Sequence, residues 1–123
     1  DAEIDEMLKR ISLFSEANTR AGNLAHGKKQ WLEMGLCLMT RPKLLLLDEP
    51  TAGMTDAETL ATVILLKSLA ADIATVVIEH DMSFVRELNV RTCVMHQGEI
   101  VRDSSFVDIE KDPFIQEIYL GTE

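Results

Sequence analysis

The chain has 123 residues, enough for one domain or a piece of one, and with 46% hydrophobic residues it can bury a real core, which excludes a disordered chain. Twelve Lys and Arg against twenty-one Asp and Glu give a formal charge of −9 with no dense basic stripe, which argues against direct DNA or RNA binding. No secretory leader is visible, and no apolar run approaches the ~20 residues that span a bilayer.

Ile4, Met7, Leu8, Ile11 and Phe14 recur at helical spacing among charged residues and predict an opening amphipathic helix. That abrupt start, at Asp1, reads as a cut through a larger protein. Asn18 to Gly27 reads as a connection. Lys28 to Thr40 reads as a helix that Pro42 closes, with Met34, Leu36, Leu38 and Met39 in the core and Trp31 packed at its start. Leu44 to Leu47 is apolar on both faces, as a covered parallel strand is, and Asp48-Glu49-Pro50 ends it. Thr55 and Glu58 stand at capping-box spacing, with Asp56 as a rival cap, before a helix to about Ala71. Thr75 to Ile78 reads as a second strand, Asp81 to Leu88 as a short helix and Arg91 to His96 as a third strand. Gln97-Gly98 turns the chain back along Glu99 to Arg102. Asp112-Pro113 caps a last helix that Gly121 ends. Glu99, Arg102 and the acidic stretch Asp108 to Asp112 read as solvated surface. Cys37 and Cys93, each isolated in an apolar run, read as buried free thiols of a reducing compartment. The alternation of strands and helices predicts an α/β fold with a mostly parallel sheet.

Three signals carry chemistry. A buried-type strand delivers Asp48 and Glu49 to its C-terminal end, where ligands of open α/β sheets bind. One carboxylate beside a phosphate can hold magnesium, which keeps most of its waters, and a second can orient or deprotonate an attacking water. His80 follows the next strand and is expected on the same rim. Leu24-Ala25-His26-Gly27-Lys28-Lys29-Gln30 is a glycine-containing turn leading into a helix, whose first N–H groups form an anion site.

In this order the signals resemble the ATPase subunits of ABC transporters. Leu24 to Gln30 resembles their signature sequence, Leu44 to Glu49 their Walker B strand and His80 their switch histidine, while Ala52 to Thr55 holds the place of the D-loop. Lys29-Gln30-Trp31-Leu32-Glu33, Ala52-Gly53-Met54-Thr55-Asp56, Glu79-His80-Asp81-Met82 and His96-Gln97-Gly98 resemble the urea importers of the group that also serves branched-chain amino acids. The resemblance implies a partial P-loop NTPase core. Residues 1–42 would be the C-terminal part of the helical signature subdomain, and residues 43–123 the C-terminal part of the RecA-like core. It also implies that Asp48 helps hold magnesium, that Glu49 is the general base and that His80 reaches the γ-phosphate of ATP. Ala25, His26, Gly27, Lys28 and Gln30 would face ATP bound by a second ATPase subunit, and Thr55 would take the D-loop place. Transmembrane permease subunits are the implied partners, at the inner face of a bacterial plasma membrane.

The departures from the pattern are specific. Ala25 stands for the signature serine, His26 for a glycine, Lys28 for a glutamine and Thr55 for the D-loop aspartate. No Gly-x-x-x-x-Gly-Lys-Ser/Thr occurs in these residues, so the 123-residue chain alone is expected neither to hold ATP and Mg2+ tightly nor to turn ATP over. The resemblance puts the phosphate-loop strand between the strand before His80 and the strand Arg91 to His96. Without that strand, the chain is expected to self-associate through a sheet edge or an uncovered face. A non-transport ATPase of the same type and a stand-alone interaction module are the alternatives.

Overall fold

The computed structural model describes residues 1–120, and the expected helix end at Gly121 lies outside them. The chain divides into two compact units, Asp1–His80 and Asp81–Glu123.

The first unit is built on a helix, a helical pair and a two-stranded parallel sheet. Asp1 caps α1 (Ala2–Arg10) through the Glu3 N–H, and acidic residues in its first turn with basic ones in its last suit the helix dipole. The helix stops earlier than the apolar spacing implies. Ser12 takes a left-handed φ of 61°, and Phe14 falls in a following short 3-10 turn, 47% exposed. Helix α2 (His26–Leu38) begins two residues before the expected start. Strand β1 (Leu44–Asp48) leads to α3 (Asp56–Ala70), where Thr55 and Glu58 form the expected reciprocal capping box. Strand β2 (Ala74–Ile78) then pairs parallel with β1, in a register that sets Asp48 opposite Ile78.

The core of this unit gathers Ile11, Leu13, Trp31, Met34, Leu38, Leu45, Val63, Leu66 and Leu69. The exclusion of water from these side chains is the main force holding α2 and α3 in place. Leu45 is buried, whereas the opposite strand face carries Leu44, Leu46, Val76 and Ile78 at 50%, 67%, 50% and 60% exposure. Among the described residues, one face of the apolar run is therefore covered and the other exposed. Leu36 is likewise exposed, because it sits on the far side of α2 from Met34 and Leu38. Cys37 is exposed beside it, against expectation.

In the second unit Asp81 caps α4 (Met82–Leu88), which ends on the left-handed Asn89. Strands β3 (Arg91–His96) and β4 (Glu99–Ser105) form an antiparallel hairpin around Gln97 and Gly98, both at positive φ, as two-residue turns require. This pair is a separate sheet from β1–β2, so the described strands form one parallel and one antiparallel pair rather than a mostly parallel sheet. Cys93 lies on the outward side of β3 and is exposed, because this hairpin has one covered face. Helix α5 (Phe106–Lys111) and the turn α6 (Pro113–Ile115), with Pro113 in the first helical position after the Asp112 cap, run into a π-helical turn (Gln116–Leu120). Phe84, Leu88, Phe106, Ile109 and Ile115 form the second core. Arg102 is not merely solvated: it donates to Asp112 at 2.5 Å and lies 4.9 Å from the centre of the Phe114 ring. Within the acidic stretch, Glu110 pairs with Arg86.

Candidate functional site

The parallel register brings the chain leaving β1 and the chain leaving β2 side by side. The Glu49 N–H donates to the Ile78 carbonyl at 2.8 Å, one step beyond the last strand pair. At Glu49 the backbone turns sharply, with a φ of 47° that is left-handed and unusual for a non-glycine residue. Such a conformation costs of order 1–3 kcal/mol and persists where surrounding structure fixes it. It swings the Glu49 carboxylate to His80, whose Nδ1 lies 3.0 Å from Glu49 Oε1. Both side chains are well exposed, 76% for His80 and 50% for Glu49. An exposed pair of this kind adds little to stability. Asp48, also exposed, stands immediately before the turn.

Glu79, which sequence reasoning noted only as part of a resemblance, holds this rim together. Its Oε1 accepts from the Thr51 N–H at 3.2 Å and the Thr51 hydroxyl at 2.7 Å, and its Oε2 accepts from the His80 N–H at 3.3 Å. A signal was available in the sequence: a carboxylate at the end of one strand and a Thr three residues past the end of its partner.

The second cluster is the start of α2. Ala25 occupies the cap position and supplies no side-chain acceptor. Gly27 is buried in the first helical turn, where a Cβ would come within 2.8 Å of the Glu58 carboxyl carbon, so glycine serves close approach to α3 here. His26 Nε2 lies 2.8 Å from the Ala52 carbonyl, and Gly53, at a φ of +73°, leaves room for the imidazole. Lys28 donates to Glu16 at 2.5 Å, and this bond holds the Glu16 carboxyl below its ordinary range. Trp31 Nε1 donates to the fully buried Thr62 hydroxyl at 2.9 Å. Gln30 is half-buried one turn along. Thr55 is engaged locally, its hydroxyl accepting from the Glu58 N–H at 3.2 Å as the α3 cap.

Among the described residues there is no cluster of three or more His, Cys, Asp or Glu able to hold a metal, and no helix is long and apolar enough to cross a membrane.

The ABC transporter family model matches residues 1–52. Over 116 residues, 93% of the chain, the sequence is 36% identical to the high-affinity branched-chain amino acid transport ATP-binding protein BraF of Pseudomonas aeruginosa. It is 37% identical to LivG, of the same description, from Escherichia coli K12. The chain is homologous to ABC transporter ATP-binding subunits. It spans 46% of the length of these two curated relatives. The fold agrees: MJ1267, an ATP-binding cassette of an ABC transporter, superposes with a TM-score of 0.84 at 28% identity, over 94% of this chain and 47% of that one. A nucleotide-free ATP-binding cassette gives the same TM-score and identity over 95% and 48%. The α/β architecture is thus that of the ABC ATPase fold, in part.

Proposed function

We propose that these residues supply the hydrolytic rim and the signature helix of an importer ATPase for branched-chain amino acids or urea. The observation that carries the reading is the Glu49–His80 contact at the ends of two parallel strands. In this reading Glu49 takes the proton of a water attacking the γ-phosphate, and the products are ADP and phosphate. His80, with Nδ1 on Glu49, keeps Nε2 for a phosphate oxygen. Asp48 suits magnesium as a single exposed carboxylate, since that ion keeps several waters and shares its other ligands with phosphate. Magnesium, when bound, neutralises charge on the phosphates.

The backbone N–H groups at Ala25, His26, Gly27 and Lys28, with Gln30 behind them, would meet ATP on a second ATPase subunit, and Thr55 would stand near the subunit boundary. Residues 1–42 would act as signature subdomain and 43–123 as core, with permease subunits as membrane partners. The relatives BraF and LivG, which are branched-chain amino acid transport proteins, support branched-chain amino acids, and the motif around Lys29 to Glu33 is the ground for urea.

The test is ATP turnover by the subunit with its phosphate-binding loop present. Glu49→Gln should lower kcat by about 10²–10⁴-fold while ATP binding survives. Normal hydrolysis by that variant would remove the assignment. The 123-residue polypeptide alone should neither turn ATP over nor bind it at micromolar concentration by calorimetry. It should also self-associate through the Leu44, Leu46, Val76 and Ile78 face, and a monomer by light scattering at micromolar concentration would refute that.

A further inference from the structure

We infer that Glu79 is a positioning residue that locks the base-bearing turn to the switch histidine. The inference rests on the proposed roles of Glu49 and His80. One carboxylate takes three hydrogen bonds from two segments: two from Thr51, two residues past Glu49, and one from the N–H of His80 itself. Thr51 is 8% exposed, so its N–H and hydroxyl have little water to replace Glu79 as acceptor.

The clamp answers a specific mechanical need. Glu49 sits in a left-handed conformation that an L side chain disfavours, and the chain must leave that turn at once through Pro50 and Thr51. Fixing Thr51 fixes the exit of the turn, and the Glu49 N–H bond to Ile78 fixes its entry. The same carboxylate fixes the backbone of His80. Glu79 therefore sets the separation of the two side chains that meet at 3.0 Å without a hydrogen bond to either side chain.

Only an ionised carboxylate does this fully. A Gln at position 79 can accept from Thr51 through its carbonyl oxygen, but its NH2 then faces the His80 N–H, donor against donor. Ala removes all three bonds. The expected order of function is Glu, then Gln, then Ala.

The experiment has two arms. Amide hydrogen exchange on the chain should show the Thr51 and His80 N–H groups exchanging at least about tenfold faster in Glu79→Ala, with the Leu66 amide in α3 unchanged. In the ATPase subunit with its phosphate loop, Glu79→Ala should lower kcat by about 10–100-fold with the ATP KM within about twofold, and Glu79→Gln should fall between. In a His80→Ala background the further loss from Glu79→Ala should shrink severalfold, which general destabilisation would not produce. If Glu79→Ala does not fold, Thr51→Val, which removes only the 2.7 Å bond, should give a smaller loss in kcat at unchanged KM. Unchanged exchange at Thr51 and His80, or an unchanged kcat, overturns the inference. A wild-type subunit without ATPase activity would overturn the functional reading instead, while the exchange arm would still decide whether Glu79 holds the turn.

Discussion

Replacing Thr62 by Val tests the joint between α2 and α3 with almost no change of shape. Thr62 is 0% exposed, and its oxygen accepts from Trp31 Nε1 at 2.9 Å while its proton goes to the Glu58 carbonyl at 2.8 Å or the Met54 sulfur at 3.2 Å. Val keeps the volume and removes the acceptor, leaving a buried indole N–H without a partner. That penalty is about 1–3 kcal/mol, whereas the lost donation to Glu58 matters little because a helical carbonyl keeps its backbone bond. Against a domain stability of ~5–15 kcal/mol the change is measurable. Trp31 is the only tryptophan, so its fluorescence in urea reports the unit Asp1–His80 by itself. Thr62→Ser, which keeps the hydroxyl, should lose less than Thr62→Val. Trp31→Phe with Thr62→Val, followed by circular dichroism, should cost about 1 kcal/mol less than the two singles added, since the second change removes no further bond. A Thr62→Val protein within ~0.5 kcal/mol of wild type would mean that water reaches the indole and that the joint is not sealed.

The left-handed turn at Glu49 predicts an inversion of the usual order: Glu49→Gly should be more stable than Glu49→Ala by about 0.5–1 kcal/mol in chemical denaturation, because Ala carries the backbone strain and Gly does not. An Ala variant as stable as Gly would place the strain elsewhere. In the second unit, the Arg102 side chain and then the Phe114 N–H hold the Asp112 carboxyl below its ordinary value of 3.8. A depressed folded pKa gives stability that is present above the unfolded value and lost as pH falls through the folded one. Asp112→Asn should therefore melt below wild type at pH 7, and the difference should shrink as the pH is taken below about 4, vanishing once both states are protonated. A difference constant between pH 7 and pH 3 would assign the effect to packing.

Element positions were legible because their signals are local. The Thr55–Glu58 box, the Asp112 cap and the Gln97-Gly98 turn each depend on side chains within four residues, and each stands where the sequence puts it. Periodicity failed where burial depends on what lies opposite. Leu44 and Leu46 satisfy the pattern of a strand covered on both faces, yet hydrophobicity alone cannot say whether a second layer is within the same 123 residues. Leu36, Cys37 and Cys93 failed for the same reason. At the site, the meeting of Glu49 and His80 followed from parallel strands sharing a rim. Glu79 did not stand out, because its role arises from the β1–β2 register, which sets it across from the turn at Glu49 and within reach of Thr51.

Under the proposed function, the start of α2 would meet an anion through its backbone rather than its side chains. A lysine beside such a site invites the reading that its ammonium is the phosphate ligand, but Lys28 is bound to Glu16 at 2.5 Å, and that bond favours the charged form of Glu16. Paired in this way its charge is largely cancelled locally. His26 is turned toward Ala52 and Gly53, and Ala25 has no polar atom to offer. What remains is the backbone: N–H groups of the first turn, with the partial positive charge of a 13-residue helix behind them. Their direction is fixed by three contacts to α3 and its leading loop, through His26 on Ala52, Gly27 on Glu58 and Trp31 on Thr62. The side chains of this segment therefore act by aiming the helix, and the loop they hold is the one that leaves Glu49. A displacement of the α2 start must strain that loop or break its contacts, so that under the proposed function the start of α2 and the turn bearing Glu49 would be coupled within a single chain.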